Sequence, residues 1–465
     1  LFPYTTLFRS YGDGMLEVIK NIYDFGEHQP KRLALVFDHQ RITYDELIHE
    51  VDKASSQYSM INEGEKVGLL SNHPIKNLIH YFAIHRVGGI PCFFSSKWNK
   101  VTINQLIEKY KIQWLKSDQH LIKTGYNRIS HSYNGTLLHI GFTSGTTGLP
   151  KAYYRNEHSW LISYKENEKL IKHDSKVIVA PGPLSHSLSL YACIYALFTG
   201  RTFVGQKEFN AEVLVKTIQS IHQPASLFVV PTMLYQFILK GLHTAEIKSI
   251  FSSGAKLSKE QFRAIAQLYP DTNLIEFFGT SEASFISYNF NQTAPRQSVG
   301  KLFPNVEAKL FEKDSKHIGL LKVRSEMTFS GYVGEEQISN EWIETGDYAL
   351  IRNRNLYLVG RKSDRLIIGG VNVYPSEIEQ RVMNIEGVSE AIVIGEPHHK
   401  FGEIAVLLYT GIKELKYSEV KTCLKNHLSR YEVPSKIRKI DGMHYTESGK
   451  IARGKMKTKY LNGEI

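Results

Sequence analysis

The sequence predicts an α/β fold: a large N-terminal domain of parallel sheets flanked by helices, a small β subdomain, and a small mobile α+β C-terminal domain. Three observations carry this. Strand and helix signals alternate through the first three-quarters of the chain, the pattern of parallel strands with helices on the sheet faces. After about Gly300 the signals shrink to short strands without long helices. Beyond Arg361 a compact mixture of helix and strand follows.

Met15 to Phe25 is an amphipathic run, and Leu33–Asp38 a strand. Thr43-Tyr44-Asp45-Glu46 has capping-box spacing and opens a helix through Tyr58. Strand Val67–Ser71, helix Ile75–Arg86 and strand Ile90–Phe94 make a βαβ unit. Strand Lys176–Ala180, helix Leu188–Leu197, strand Thr202–Val204 and helix Ala211–Ile221 repeat the pattern. Strand Leu227–Val230, helix Thr232–Lys240, strand Ile250–Ser252, helix Lys259–Leu268 and strand Leu274–Phe278 continue it, with a second capping box at Ser258 and Gln261. Ala308–Phe311, Leu321–Arg324 and Leu356–Val359 are the short strands of the β subdomain. The last unit holds helix Pro375–Met383, strands Ala391–Gly395 and Glu403–Tyr409, helix Ser418–Leu428 and strand Lys436–Ile440. A hinge is expected near Ser363, giving domains 15–362 and 363–465. Residues 1–14 read as a non-native leader, because LFPYTTLFRS precedes the first methionine, Met15.

Composition bounds the function classes. The chain has 465 residues, room for two or three domains. With 42% hydrophobic and 22% charged residues it is globular and not disordered. Leu188 to Phe198 is too short to span a bilayer. Cys92, Cys193 and Cys423 lie too far apart for a disulfide framework or a CxxC clip, which fits a reducing cytoplasm. No secretory signal is read, so the expected localisation is cytoplasmic. The formal charge of +11 is spread along the chain and reads as a solvated basic surface, with no nucleic-acid partner. Peripheral membrane contact and oligomeric state stay open. The 19 histidines show no HExxH-type spacing, so no protein-bound zinc is expected.

Chemistry concentrates first at Phe142 to Lys151, FTSGTTGLPK. A predicted strand runs into Thr143, Ser144, Gly145, Thr146, Thr147 and Gly148. Glycines bring backbone close to an anion, amides and hydroxyls supply donors, and Lys151 adds a point charge. This is a phosphate cradle without Walker A spacing.

This stretch resembles the adenylate-forming, AMP-binding superfamily of acyl-CoA synthetases, peptide-synthetase adenylation domains and luciferases. The resemblance runs from about Leu33 to Lys455, with further motifs in the family's order. It implies the following roles. Phe277-Phe278-Gly279-Thr280-Ser281-Glu282 resembles the YGxTE segment, with Phe278 on adenine, Ser281 at the α-phosphate and Glu282 on Mg²⁺; Thr147 is the second metal candidate. Phe for Tyr and Ser for Thr are departures that keep a π face and a hydroxyl. Ser253-Gly254-Ala255 resembles the adenine-site loop. Asp347 of Thr345-Gly346-Asp347 would accept from both ribose hydroxyls, and Arg361 would be a second ribose or phosphate contact. Taken alone, each reads equally as a turn carboxylate or a surface arginine. Ser363 stands where the family places its hinge residue, and its role stays open. Gly369 and Gly370, in GGVNVYPSEIE, resemble the loop lining the pantetheine tunnel of CoA ligases for fatty and related acids. Lys450 resembles the lysine of the C-terminal SGK and would oppose charge developing between carboxylate and α-phosphate. His186 falls near the expected acid carboxylate.

The reading is an enzyme: an ATP-dependent, AMP-forming acid-thiol ligase. It activates a carboxylic acid, a fatty acid by preference, as acyl-adenylate and transfers it to CoA. That places it in fatty-acid metabolism, with ATP, Mg²⁺ and CoA as cofactors or co-substrates. Ligases for an aryl or succinylbenzoate-type acid, and a catalytically silent AMP-binding homologue, stay open as alternatives. Amino-acid activation is weaker, because Ser185-His186 lacks the Phe-Asp pair that binds a substrate ammonium. Measured against the family, the chain is short before the phosphate loop, and part of the N-terminal subdomain is expected to be trimmed.

Overall fold

The computed structural model describes residues 15–128, 136–143, 148–335, 341–446 and 450–465. They fall into two units. The first takes in the chain up to Thr143, Leu149–Val306 and Arg324–Glu341; the second comprises Glu307–Val323 and Trp342–Ile465.

The first unit holds two sheets. One runs in the order Leu121–Lys123, Trp114–Lys116, Lys66–Leu69, Ile90–Phe93, Leu137–Phe142, Ala152–Asn156. Its four central strands are parallel, and the strand at each edge is antiparallel. The other centres on six parallel strands, Leu33–Phe37, Thr202–Gly205, Val177–Val179, Ala225–Val229, Ile247–Ser252 and Asn273–Thr280. Gln40–Thr43 flanks it on one side and Ser284–Phe290 on the other, both antiparallel. The antiparallel edges were not expected. They arise where a short connection, too short for a crossover helix, folds the chain straight back.

The core follows from the alternation. Val177, Val179, Val204, Leu227, Val229 and Ile250 of the larger sheet pack with Leu214, Ile218, Leu234, Phe237 and Ile265 from its helices. Both capping boxes form. Glu46 N donates to Thr43 Oγ1 at 3.2 Å and Thr43 N to Glu46 Oε2 at 3.5 Å; Gln261 N and Ser258 Oγ meet at 3.1 Å, with Ser258 N to Gln261 Oε1 at 3.0 Å. The helix opened by Thr43 ends at Ser55, and Ser56–Tyr58 is a 3-10 turn. Two helices absent from the sequence reading are capped by asparagine, Lys100–Tyr110 by Asn99 and Glu157–Leu170 by Asn156. The second buries Ser159, Ser163 and Asn167, so its inward face carries no clean apolar stripe.

The opening helix, Glu17–His28, has no side-chain cap of its own. Its first amides are satisfied from far away: Glu17 N and Val18 N donate to Glu157 Oε1 and Oε2 at 3.0 and 3.1 Å. Glu157 is buried, and the helix N-terminus is the positive partner that makes this tolerable.

The second unit begins with antiparallel strands in the order Glu307–Phe311, Gly319–Arg324, Ile343–Arg352, Asn355–Arg361. Hairpin Leu366–Ile368/Val371–Val373 leads into helix Pro375–Val382. A three-stranded sheet of Val388–His398, Gly402–Gly411 and Lys436–Lys439 packs against that helix and Tyr417–Leu424. The latter helix stops four residues before the expected Leu428. The lysine-rich tail is a helix, Arg453–Leu461, tied to Pro375–Val382 by Arg453 Nη2 on Glu379 at 2.5 and 3.0 Å. No helix among the described residues is long and apolar enough to cross a membrane.

Candidate active site

The phosphate-cradle sequence joins strand Leu137–Phe142 to its antiparallel neighbour Ala152–Asn156. Both ends of the loop are closed by the same pair: Thr143 N donates to Lys151 O at 2.9 Å, and Lys151 N to Thr143 Oγ1 at 3.2 Å. Ser144, Gly145, Thr146 and Thr147 lie outside the described residues; Gly148 lies within them, at a positive φ. The Lys151 ammonium lies 3.6 Å from the centroid of the Tyr332 ring and 3.7 Å from Glu335 Oε1.

Tyr332 leads to the second motif. Its hydroxyl donates to Glu282 Oε1 at 2.7 Å. Burial and the adjacent Glu282 carboxylate push the phenol well above its ordinary range, so it stays a donor. Phe278 and Gly279 stand near the end of strand Asn273–Thr280, which turns into Ser284–Phe290. Gly279 is required there: a Cβ would stand 2.1 Å from the Ser284 carbonyl oxygen. Thr280 Oγ1 accepts from Ala283 N at 2.9 Å and fixes the turn that presents Ser281 and Glu282. Behind it lies Arg155, 1% exposed, donating to Ser281 O at 2.5 Å, Met327 O at 3.1 Å and Ser159 Oγ at 3.1 Å.

His186 is exposed, at the start of helix Ser187–Phe198, where its amide donates to Pro183 O at 3.0 Å. A core histidine would be buried. Ser185, His186 and Ser187 line a small cavity with Gly141 and Tyr153, which brings the histidine loop against the strands that carry the cradle. Ser253 N donates to Val229 O at 3.1 Å at the end of strand Ile247–Ser252, and Gly254 and Ala255 follow exposed.

In the second unit, Asp347 and Arg361 face each other across two antiparallel strands. Arg361 Nη1 sits 3.1 Å from Asp347 Oδ1 and 3.2 Å from Thr345 O. Asp347 is 5% exposed, and its Oδ2 has no hydrogen-bond partner among the described residues. Burial raises its carboxyl pKa; Arg361, Thr345 and Lys450 pull the other way. Lys450 is reached from a loop in which Thr446 N donates to Lys450 O at 2.7 Å. Desolvation and the like charge of Arg361 lower its ammonium pKa, while Asp347 opposes them. Three residues singled out separately in the sequence thus gather at one place. Gly369 and Gly370 form the two-residue turn of their hairpin, with φ of 54° and 78°. Both central residues at positive φ explain the Gly-Gly pair without reference to a ligand. A Cβ on Gly370 would meet nothing within 4 Å among the described residues.

Sequence reading missed Tyr332, Arg155 and Glu335. Arg155 carried a signal, a cation directly after the tyrosine pair Tyr153-Tyr154. Tyr332 carried none, because its role appears only when the segment before Val333 is laid beside Ala152–Asn156.

The model of the AMP-binding enzyme family matches residues 130–333, and that of the AMP-binding enzyme C-terminal domain residues 377–450. A Staphylococcus epidermidis protein named "Putative long chain fatty acid-CoA ligase VraA" is 57% identical over 97% of this chain and 100% of its own length. The 2-succinylbenzoate--CoA ligase of Staphylococcus epidermidis is 25% identical over 93% of this chain and 96% of its own. Among solved structures, o-succinylbenzoate CoA synthetase from Bacillus subtilis, in complex with its acyl-adenylate intermediate, shares the fold with a TM-score of 0.81 at 21% identity, over 94% of this chain and 97% of that one. With both family models matched in order and a relative alike from end to end, this chain belongs to the AMP-binding enzyme family.

Proposed function

We propose that the protein is an AMP-forming acid-thiol ligase that joins a carboxylic acid, a fatty acid by preference, to CoA at the expense of ATP. The observation that carries this is the gathering of Asp347, Arg361 and Lys450, with one buried carboxylate oxygen of Asp347 left unpaired among the described residues. Such an oxygen is expensive to bury unless a donor arrives. A ribose diol is a donor of the right chemistry.

In this reading Asp347 accepts from the ribose, and Arg361 keeps the carboxylate charged and oriented. Lys450 supplies positive charge where the acid carboxylate and the α-phosphate, both anionic, must approach. Thr143 and Lys151 hold the ends of the cradle that meets the triphosphate, and Phe278 offers adenine a face. Ser281 gives the α-phosphate a hydroxyl. His186 stands where the acid's carboxylate enters. Carboxylate and hydroxyl oxygens suit Mg²⁺, a hard cation, and Glu282, partly exposed with one oxygen taken by Tyr332, fits as its ligand. When bound, the ion supplies charge neutralisation on the phosphates. Carboxylate oxygen attacks the α-phosphorus and pyrophosphate departs; the CoA thiol then attacks the acyl carbon and AMP departs. The hairpin Gly369-Gly370 would serve the second step, and Ser363 is the proposed hinge between domains 15–362 and 363–465. The preference for fatty acids rests on the apolar helix after His186, which is buried along most of its length, and on the name of the 57% relative.

The experiment is acid-dependent ATP–pyrophosphate exchange with fatty, aryl and amino acids, followed by mass detection of the CoA thioester. Exchange and thioester with fatty acids are expected. Amino acids activated at least as well as fatty acids, or no exchange with any acid, would contradict the proposal.

A further inference from the structure

We propose that Tyr332 is a positioning residue that holds both Lys151 and Glu282, its ring face taking the ammonium and its hydroxyl the carboxylate. This rests on the ligase reading, in which those two residues face the triphosphate.

The backbone of Tyr332 is pinned. Tyr154 N donates to Gly331 O at 2.9 Å, Ser330 N to Tyr154 O at 2.9 Å and Val333 N to Ala152 O at 3.0 Å, so Tyr332 pairs with Tyr153 across a short antiparallel ladder. Asn156 Nδ2 on Ser330 Oγ at 2.8 Å fastens the far end. Lys151 immediately precedes that ladder, and its ammonium over the ring is therefore a consequence of register. Glu282 is fixed with equal economy: Phe329 N donates to its carbonyl at 2.7 Å, and Arg155 holds the preceding carbonyl. Between these two anchored segments stands one half-buried phenol that touches both functional groups.

The two contacts differ in kind. A cation over an aromatic face at a half-exposed site is a weak hold, readily surrendered to a phosphate. A phenol on one carboxylate oxygen orients the other toward an incoming hard cation, as partners of metal-binding carboxylates do. Tyr332 thus keeps the lysine ready for the phosphates and the carboxylate ready for the ion that accompanies them. A tyrosine used only for packing would need neither the hydroxyl nor the open ring face.

The test uses the full chain with Tyr332→Phe and Tyr332→Leu. Labelling of Lys151 by an acetyl N-hydroxysuccinimide ester, followed by peptide mass mapping, reads the ring contact. Calorimetric titration of Mg²⁺ at fixed ATP reads the hydroxyl contact. Tyr332→Phe should label Lys151 as wild type does, yet need about tenfold more Mg²⁺ for half-maximal ATP binding. Tyr332→Leu should share that shift and label Lys151 about two- to fivefold faster. Lys151 labelled at the wild-type rate in Tyr332→Leu, or an unchanged Mg²⁺ midpoint in Tyr332→Phe, would overturn the proposal. Labelling needs no acid and no turnover. A wild-type protein that exchanges no pyrophosphate but shows ring-dependent labelling would sink the ligase reading and support the lysine contact.

Discussion

Arg361 occupies one oxygen of the Asp347 carboxylate, at 3.1 Å, and leaves the second, buried oxygen unpaired among the described residues. The arrangement is half of a hydrogen-bonding site. Asp347→Ala removes the acceptor and leaves Arg361 in place. Nucleotide affinity should fall, with each charge-assisted bond worth about 1.5–3 kcal/mol. Calorimetry with ATP checks it, and an unchanged affinity would contradict the ribose role.

Lys450 and the Gly369-Gly370 turn should fail in different half-reactions. Lys450→Ala should lose pyrophosphate release yet still convert supplied acyl-adenylate and CoA to thioester. Gly370→Leu should form adenylate and stall at the thioester. Because Gly370 sits at φ 78°, a leucine also strains the turn. Gly370→Asn, tolerant of that conformation, separates the two causes by keeping the hairpin. Loss of the same half-reaction in Lys450→Ala and Gly370→Leu would refute the division of labour.

Glu377 should make the protein less stable as pH rises. Burial, reinforced by Glu432, pushes its carboxyl up to about 7, from an ordinary value of 4.5. The folded chain therefore holds this proton between those limits while the unfolded chain releases it. Stability is lost progressively through that window and stays lowered above it. Glu377→Gln should restore of order 1–3 kcal/mol at pH 8 and nothing at pH 4. Urea melts at the two values decide it.

Arg453 answers the buried Glu379 carboxylate and also donates to Val393 O at 2.7 Å. Arg453→Met should strand the charge and destabilise the second unit by about 3–5 kcal/mol. Adding Glu379→Leu should recover much of that loss. Thermal unfolding of the single and double variants is the measurement; equal melting temperatures for wild type and Arg453→Met would refute the pairing.

What could be read in advance follows the range of the interactions involved. The helix at Lys259–Leu268 was exact because its signal, Ser258 with Gln261, is local. Helix Glu157–Leu170 was invisible because its buried face mixes Ser159, Ser163 and Asn167 with Trp160, Tyr164 and Leu170, which breaks the apolar period. Asp347, Arg361 and Lys450 were each named from short motifs, yet only the strand register and the returning C-terminal loop bring them together. Tyr332 and Arg155 were missed for the same reason reversed: they touch the motif residues without belonging to any motif. Gly369-Gly370 was legible as a pair, but its positive dihedrals answer first to the hairpin.

The grip of Glu157 on the first amides of the opening helix has a consequence for proteolysis. Loss of Leu16, which is buried, and then of Glu17 and Val18 would undo the seating of this helix. Cleavage there deprives a carboxylate in the middle of the sequence of both its donors. Degradation should therefore meet a sharp threshold: an aminopeptidase would leave a persistent species ending just ahead of that point, and products trimmed further would vanish by wholesale digestion.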